Sequence, residues 1–494
     1  MVVGLQNKSE MKYLNNWING CESEPGNNLY LNKFNPHNGE IISCFADSQE
    51  LDVSMAVDSA QNAYEGWKSF SPVKRGELLL QLVKLMQLNF DNLTHIFAIE
   101  TGKPIKDANG ELLGAIKLGE FFSSEGMRMF GRTMTSAIPN KQSFTIREPR
   151  GVAALIVPAN TPMANIAWKV FPALICGNTV VLKSSEDAPN IAIEFARLSK
   201  TAGIPDGVLN VIHGTGLSAG QKLIENEKVK TISFTGSTIV GKVIANVAAQ
   251  RLARVSLELG GKNPFIVCDD ADLSNSVNWA LLSAFSNAGQ RCAAASRIIV
   301  FEEIYEKFVQ LLVDQTQKLK LGVCTNSNLG PLISKKQQGM IKDIVDNTVS
   351  QGGRLLCGGD FPKEGPLSNG YYFYPTLIDN VSIDSKISNT ELFGPVATIY
   401  SVKSLDEAIQ LANNTSYGLT SCIHTKDINR AMYFAKNVKA GVANVNTGTF
   451  GSEPHMPFGG FGDSGNGTRE PGTDALEVYS ELKNVSILVE SEFI

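Results

Sequence analysis

The feature that most constrains the fold is an alternation of short, predominantly apolar runs with segments of helical length between residues 152 and 267. The apolar runs occupy residues 152–157, 179–182, 208–212, 231–234 and 264–267. A strand that is apolar at every position is covered on both faces, as happens in a parallel sheet with helices on either side. The pattern therefore predicts a doubly wound α/β domain of the kind that binds dinucleotides.

The same alternation resumes further along, and a helical region precedes it. Residues 50–125 carry apolar side chains at intervals of three and four, which predicts helices. A chain of 494 residues is also too long for one ordinary core. We expect two parallel-sheet α/β domains. The cofactor-binding domain is predicted from residues 1–126 and 148–258, and the catalytic domain from 259–445, with the following loop to about residue 475 packing back on the cofactor side.

Two further segments, residues 127–147 and 478–494, are predicted to form strands outside both domains. The first contains polar, alternating sequence typical of a hairpin, and the second contains the apolar run 485–489. Exposed strand edges usually need a partner. We therefore expect these segments to assemble a homodimer or homotetramer.

Composition argues against several classes of partner. The net charge is −5 and no block of like charge stands out, so a nucleic-acid partner is not expected. The most apolar long stretch, residues 164–182, is interrupted by Lys169 and Pro172, and residues 1–12 lack the apolar core of a secretory signal. We expect a soluble cytoplasmic protein without a membrane partner. The 8 cysteines lack paired spacing, which favours reduced thiols over a disulfide framework or a metal site.

Cys292 and Glu258 are the residues with the clearest chemical potential. Cys292 is expected on a loop before the strand 297–301, where α/β folds place reactive groups. The alternative is a small buried apolar residue, the more common role of a free cysteine. Glu258 lies among small and apolar residues, where lost solvation would raise its pKa toward that of a general base. The alternative is a surface glutamate before the turn Gly260-Gly261.

Two turns could bind a pyrophosphate. Phe234-Thr235-Gly236-Ser237-Thr238 follows a predicted strand and precedes a helix, so backbone N–H groups and the positive helix end could meet an anion. Gly214-Thr215-Gly216 is a second turn of this sort. Neither has the full glycine fingerprint of dinucleotide-binding loops, and ordinary βα turns have similar sequences.

Taken together, these segments resemble the aldehyde dehydrogenase superfamily. The resemblance extends from Asn35-Pro36 to Pro457-Phe458-Gly459-Gly460 and therefore covers nearly the whole chain. Its main motifs occur in the correct order: Pro158-Ala159-Asn160, residues 234–237, 257–261, 289–292, and Glu391-Leu392-Phe393-Gly394-Pro395.

The resemblance implies a role for four catalytic residues. Cys292 would attack the aldehyde carbon, and the Asn160 side-chain amide with the Cys292 backbone N–H would hold the resulting oxyanion. Glu258 would activate the water that releases the acid from a thioester. Lys169 matches a lysine that helps to structure the pocket. No metal is implied.

The implied cofactor is NAD, with NADP possible. Lys183 and Glu186 would face the adenosine ribose, where a carboxylate accepts a hydrogen bond from a 2′-hydroxyl and repels a 2′-phosphate. Glu391 and Phe393 match the pair that holds the nicotinamide ribose. The full predicted cofactor set is Val157, Pro158, Ala159, Lys183, Ser185, Glu186, Gly216, Phe234, Gly236, Ser237, Val240, Leu259, Gly260, Glu391 and Phe393.

Two alternatives to an acid-forming aldehyde or semialdehyde dehydrogenase stay open. The motif Gly289-Gln290-Arg291-Cys292 is also similar to that of coenzyme A-acylating semialdehyde dehydrogenases, although those generally lack the counterpart of Glu258. A protein of this fold could also be a non-catalytic cofactor-binding or structural protein. The small-molecule aldehyde itself is not predicted, since Ala159 and Thr161 replace residues that are often aromatic in the family.

Overall fold

The computed structural model of the chain describes residues 11–489, so the outermost parts of the predicted ranges 1–126 and 478–494 lie outside the described residues. Two sheets of 7 strands organise this part of the chain. The first sheet consists, in spatial order, of β12 (Arg254–Glu258), β11 (Val229–Thr235), β8 (Val152–Ile156), β9 (Thr179–Lys183), β10 (Leu209–Ile212), β2 (Asn16–Ile18) and β3 (Cys21–Ser23).

The second sheet lies entirely within the predicted catalytic domain. Its strands, in spatial order, are β15 (Arg354–Cys357), β16 (Thr376–Asp379), β17 (Val396–Val402), β14 (Ala295–Phe301), β13 (Asn263–Val267), β19 (Thr420–His424) and β20 (Val442–Val445). Every strand of the first sheet precedes residue 259 in the sequence, and every strand of the second sheet follows it. We therefore retain residue 258 as the proposed domain boundary.

Helices cover these sheets, and residues 50–125 are helical as predicted. The helices are α1 (Glu50–Ser69), α2 (Pro72–Leu88), α3 (Phe90–Thr101), α4 (Ile105–Glu125), α5 (Pro162–Ile175), α6 (Pro189–Thr201), α7 (Gln221–Glu225), α8 (Thr238–Ala249), α9 (Leu273–Phe285), α10 (Tyr305–Thr316), α11 (Lys335–Ser350), α12 (Lys386–Asn389), α13 (Leu405–Asn413), α14 (Ile428–Asn437) and α15 (Leu476–Tyr479).

The predicted apolar strands β8, β9 and β10 are buried almost throughout, which confirms that helices cover both faces of the first sheet. The central strands of both sheets are parallel as predicted, and antiparallel pairing occurs only towards the edges, at β2 and β3 in the first sheet and at β15 in the second. The strand β12 was also missed. It begins with an exposed arginine and ends in an acid, so it carries no apolar run that would reveal it.

Two small sheets complete the globular part. One contains β1 (Tyr13–Leu14), β4 (Tyr30–Phe34) and β5 (Ile41–Ala46), and the other pairs β18 (Tyr417–Gly418) with β21 (Phe461–Gly462). The two segments predicted to lie outside the domains pair with each other in an outer sheet formed by β6 (Thr133–Met134), β7 (Lys141–Pro149) and β22 (Ser480–Leu488).

The strand β7 continues past the predicted end at residue 147 to Pro149, whereas β22 lies within the predicted segment 478–494. The two strands pair without interruption from Ser480↔Pro149 to Leu488↔Lys141. Apolar side chains of β22 remain exposed: Leu482 by 49%, Ile487 by 48% and Leu488 by 62%.

Candidate active site

A cavity of about 360 Å³ brings the predicted motifs together. Its walls include Cys292, Asn160 and Glu258, and also residues of the predicted cofactor set: Pro158, Gly236, Ser237, Leu259, Gly260, Glu391 and Phe393. A larger open groove of about 1190 Å³ lies on the second sheet and is lined by none of the predicted site residues. The smaller cavity is therefore the candidate active site.

Cys292 lies on the loop that joins a short 3₁₀ turn, Ser286–Gly289, to β14, as predicted. The Asn263 side chain fixes this loop by donating hydrogen bonds to the carbonyl oxygens of Cys292 (2.7 Å) and Ala294 (2.9 Å). Burial, together with the nearby carboxyl groups of Glu391 and Glu258, raises the pKa of the Cys292 thiol to about 12. The thiol consequently holds its proton near neutral pH until a base removes it.

Asn160 faces the cysteine loop. Its Nδ2 donates a hydrogen bond to the Gln290 carbonyl oxygen at 3.0 Å. A primary amide has two N–H groups, so this bond leaves one donor for a substrate oxygen. The Asn160 Oδ1 is buried and has no hydrogen-bond partner within residues 11–489. The amide is thus oriented by the loop that carries the nucleophile.

Glu258 ends strand β12 and is 3% exposed, so the surface-turn alternative is wrong. Neither oxygen of its carboxyl group has a hydrogen-bond partner in the described part of the chain. Burial is the largest cause that raises the Glu258 pKa well above its usual value, and the nearby Glu470 carboxylate adds to it, while Lys169 and Arg469 oppose it. A carboxyl group with a raised pKa is a stronger base than an ordinary glutamate, as general-base catalysis requires.

Lys169 is placed behind the cavity and does not line it. Its fully buried Nζ donates to the Ser233 hydroxyl (2.7 Å) and to Glu470 Oε2 (2.8 Å). The hydroxyl groups of Ser233 and Ser256 both donate to Glu470 Oε1, at 2.8 and 2.9 Å. The predicted effect of Lys169 on the pocket is therefore indirect and passes through Glu470.

Glu470 was missed by the sequence reasoning. It lies in the loop that follows the second sheet and is fully buried, although acids are rarely buried without a partner. The sequence offered one signal for Glu470: the loop that contains it was predicted to pack back on the cofactor side, where a lone acid could form an ion pair with Lys169.

The turn before α8 fits a dinucleotide phosphate. Ser237 caps α8 by accepting a hydrogen bond from the Val240 N–H at 3.4 Å, so the positive end of the helix opens next to the cavity. At Gly236 an added Cβ would lie 2.4 Å from the Phe234 ring, which leaves space for glycine alone. Val240 is 45% exposed and Leu217, on the neighbouring turn, is 84% exposed, so an apolar ring system could pack there.

Strand β9 ends at Lys183, and the predicted cofactor residues Ser185 and Glu186 lie two and three positions further along the chain. Lys183 is buried and donates from Nζ to the Ser184 carbonyl oxygen (2.9 Å); burial lowers its pKa to about 8, while Glu186 and Asp47 act in the opposite direction. The exposed Glu186 accepts a hydrogen bond from the Gly216 N–H at 3.0 Å. The two charged groups therefore lie at the carboxyl edge of the first sheet, where α/β folds bind ligands.

Val157 and Ala159 are 4% and 7% exposed and belong to the apolar core. Their side chains pack inward, so mainly backbone atoms are left for a ligand.

Glu391 and Phe393 approach the cavity from the second domain. Glu391 accepts a hydrogen bond from the Gly261 N–H at 3.2 Å, and burial raises its pKa to about 7. Phe393 has a left-handed backbone (φ 53°), and the Gln337 side chain holds its carbonyl oxygen at 3.3 Å. This rare conformation in an aromatic residue indicates that the surrounding contacts impose the loop shape.

Arg291 is a second residue that the sequence reasoning did not assign. It directly precedes Cys292, the predicted nucleophile, in the sequence. The Arg291 guanidinium lies 5.0 Å from the centre of the Phe450 ring. Its Nε is buried without a hydrogen-bond partner in the described residues. Burial lowers the Arg291 pKa, with the charge of Asp107 the largest opposing influence.

Residues 11–489 contain no grouping of three metal-binding side chains, and all 8 cysteines are free thiols. Within the same residues, no helix is both long and apolar enough to cross a membrane.

Comparison with known proteins assigns the family. The model of the aldehyde dehydrogenase family matches residues 23–485. An alpha-ketoglutarate semialdehyde dehydrogenase of Haloferax volcanii is 39% identical over 474 residues, which cover 95% of this chain and 98% of that protein. The structure of a Staphylococcus aureus betaine aldehyde dehydrogenase in complex with NAD+ is 32% identical, with a TM-score of 0.93 over 96% of this chain and 94% of its own.

An Escherichia coli NADP-dependent enzyme is similar in structure as well, with 34% identity and a TM-score of 0.93 over 98% of this chain and 100% of its own. The chain therefore belongs to the aldehyde dehydrogenase family. Its α/β fold and its reaction class, the oxidation of an aldehyde by a nicotinamide-dependent enzyme, are those predicted from the sequence.

Proposed function

We propose that the protein oxidises an aldehyde or semialdehyde to the carboxylic acid, with Cys292 as nucleophile and NAD or NADP as acceptor. The observation that carries this proposal is the single cavity whose walls include Cys292, Asn160, Glu258 and the phosphate-type turn before α8. Mixing the protein with NAD and a reactive aldehyde should release about one equivalent of NADH per subunit in a fast phase. The absence of such a burst would favour a non-catalytic, cofactor-binding protein.

In the proposed reaction, the Cys292 thiol gives its proton to a solvent water and its sulfur bonds to the aldehyde carbon as the carbonyl π bond breaks, while the free N–H of Asn160 holds the oxygen as it becomes negative. The N-terminal turn of α8, Glu391 and the end of β9 would hold the dinucleotide, which supplies the hydride acceptor that converts the sulfur adduct into a thioester. Glu258 then takes a proton from water, the oxygen of which attacks the thioester carbon. The carbon–sulfur bond breaks, and the acid leaves.

Glu258 supports release by water over release to coenzyme A. Its carboxyl oxygens have no partner within residues 11–489 and can therefore accept a proton from a water in the cavity. Adding coenzyme A to the reaction should leave the carboxylic acid as product, whereas an acyl-coenzyme A product would establish the acylating alternative.

We propose further that the aldehyde carries a carboxylate, and that Arg291 binds it. Arg291 directly precedes the cavity residue Cys292 but does not itself line the cavity. Its guanidinium packs on the Phe450 ring, and its buried Nε has no hydrogen-bond partner in residues 11–489, so an anionic group that extends from the cavity would supply the missing partner. The Haloferax relative is named for alpha-ketoglutarate semialdehyde, which is an anionic aldehyde.

The ratio of kcat/KM for succinic semialdehyde to that for butanal tests this substrate class. A charge-assisted hydrogen bond contributes about 1.5 to 3 kcal/mol, so Arg291→Gln should lower the ratio roughly 10- to 100-fold. Arg291→Lys keeps the charge and should retain part of the preference. A wild-type ratio near unity, or an unchanged ratio in Arg291→Gln, would reject the assignment.

For the cofactor we propose a preference for NAD, because the exposed Glu186 carboxylate would repel a 2′-phosphate. The position of the buried Lys183 next to Glu186 keeps NADP possible. Measuring kcat/KM for both cofactors decides the question, and a strong preference for NADP would overturn it.

We propose that the outer sheet assembles a homodimer or homotetramer, since its apolar residues Leu482, Ile487 and Leu488 are exposed in the single chain. Light scattering during size-exclusion chromatography should give two or four times the chain mass of 53.4 kDa. The 8 free thiols, including the proposed nucleophile, favour a reducing compartment, and we propose the cytoplasm.

A further inference from the structure

A buried ion pair that takes no part in the proposed chemistry lies directly behind Asn160. Lys103 and Glu111 are 3% and 4% exposed, and the Lys103 ammonium donates a hydrogen bond to Glu111 Oε2. Neither residue lines the cavity. A buried ion pair of this kind is costly to desolvate and rarely contributes net stability, which raises the question of what the pair does here.

The lysine reaches the backbone of Asn160. Its Nζ donates a second hydrogen bond to the Asn160 carbonyl oxygen at 2.8 Å. From the other side, Asn287 Nδ2 donates to the same oxygen at 3.1 Å and to the Gln290 carbonyl oxygen at 3.2 Å. The peptide of Asn160 is therefore held from both sides, once by the ion pair and once by the cysteine loop.

The glutamate holds the helix that begins directly after Asn160. Thr161, the N-cap residue of α5, makes no side-chain capping bond. Glu111 Oε1 instead accepts hydrogen bonds from the N–H groups of Met163 (2.9 Å) and Ala164 (3.3 Å). A carboxylate from α4 thus binds the positive end of α5 and satisfies two of its unpaired donors.

We infer that Lys103 and Glu111 are positioning residues for the oxyanion donor: together they fix the Asn160 peptide and the first turn of α5, so that the Asn160 amide points at the oxygen of an aldehyde bonded to Cys292. The inference rests on the proposed function, in which Asn160 stabilises that oxygen. It gives the charged pair a function in the interior, because the lysine donates to the Asn160 carbonyl oxygen and the glutamate accepts from two N–H groups of the helix, which holds both elements in fixed places.

A double-mutant cycle tests the inference. The variant Lys103→Met/Glu111→Gln removes the donor to the Asn160 carbonyl without leaving one buried charge unpaired, and it is combined with Asn160→Ala. The readout is the rate constant of the NADH burst. Asn160→Ala should slow the burst by roughly 100-fold or more, and Lys103→Met/Glu111→Gln by about 10-fold. The combination should be no more than about 3-fold slower than Asn160→Ala alone, because both changes remove the same contribution.

A merely structural ion pair would give a different result. Its loss would act independently of Asn160, so the two effects would multiply in the combined variant, and that outcome would overturn the inference, as would an unchanged burst in Lys103→Met/Glu111→Gln. Glu125→Gln is the matched control. Glu125 is also on α4, is 2% exposed and pairs with Arg128, so its loss should affect stability without changing the burst rate constant.

Two further comparisons keep the outcome interpretable. If Lys103→Met/Glu111→Gln does not fold, Lys103→Arg replaces it in the cycle, because a planar guanidinium keeps the charge but cannot reproduce the lysine's hydrogen bond to Asn160. If the wild-type protein gives no burst with any aldehyde, the proposed function fails. If the wild type bursts and Asn160→Ala is slow but the cycle is multiplicative, the positioning inference alone fails.

Discussion

Changing either member of the Lys169–Glu470 pair should shift the pH dependence of thioester hydrolysis, and the two changes should act in opposite directions. Glu470 raises the pKa of Glu258, whereas Lys169 lowers it. Glu470→Gln removes a negative charge and should lower the Glu258 pKa. Lys169→Met removes a positive charge and should raise it.

The expected shift follows from Coulomb's law. A unit charge at about 4 to 8 Å, with an effective dielectric constant of about 20, contributes roughly 2 to 4 kcal/mol, which corresponds to about 1.5 to 3 pKa units. Neighbouring dipoles compensate part of this, so we expect a shift of at least about one unit. Only ionised Glu258 accepts a proton from water, so hydrolysis should rise with pH and level off above the Glu258 pKa. That rise should move to lower pH in Glu470→Gln and to higher pH in Lys169→Met.

The assay is the steady-state rate that follows the NADH burst, measured between about pH 5.5 and 9.5. A burst establishes that a step after hydride transfer, and not acylation, limits the steady state, and a slower steady state in Glu258→Gln identifies that step as hydrolysis. Glu470→Gln also leaves the Lys169 charge without its partner in a fully buried site, so it should lower the free energy of unfolding by about 3 to 5 kcal/mol. Shifts of both profiles in the same direction, or no shift in either, would refute the electrostatic argument.

The other predictions concern the cavity residues. Glu258→Gln should keep the NADH burst but lower the steady-state rate by about 100-fold or more, and full turnover would remove Glu258 from the mechanism. The rate of Cys292 alkylation by iodoacetamide should still be rising above pH 9, because the thiol pKa is about 12; an early plateau would contradict this. Glu391→Gln should make alkylation faster at a given pH, because the Glu391 carboxylate raises the thiol pKa.

The parts of the fold that could be predicted are those with a local signal in the sequence. Strands β8 and β9 are buried on both faces, so all residues of β8 and the central residues 180–182 of β9 are apolar. The strand β12 gave no such signal, because it lies at the sheet edge, starts with an exposed residue and ends in Glu258. The antiparallel strand β2 was missed because it is only 3 residues long. An alternation of apolar and polar side chains cannot be recognised over so few residues.

The residues of the candidate site also differ in whether a local sequence signal reveals them. Cys292, Asn160 and Glu258 were found because each lies in a short motif. Glu470 was missed because its partner Lys169 is 301 positions away, and no local pattern in the sequence joins two such residues. Glu111 presented a similar difficulty, since on α4 it looks like an ordinary helical glutamate until the start of α5 is placed against it. Sequence patterns therefore predicted the proposed reacting groups, while the groups that hold them became visible through tertiary contacts.

Two carboxyl groups buried near the same lysine illustrate how such contacts assign roles. Glu470 accepts hydrogen bonds from Lys169, Ser233 and Ser256, so its oxygens are occupied and cannot take a proton from water without losing those bonds. Glu258 has no hydrogen-bond partner in residues 11–489, and it faces the cavity. A general base needs a free lone pair and a raised proton affinity, and the environment of Glu258 leaves its oxygens free and raises its pKa. The satisfied carboxylate is then part of the electrostatic environment that sets the proton affinity of the unsatisfied one.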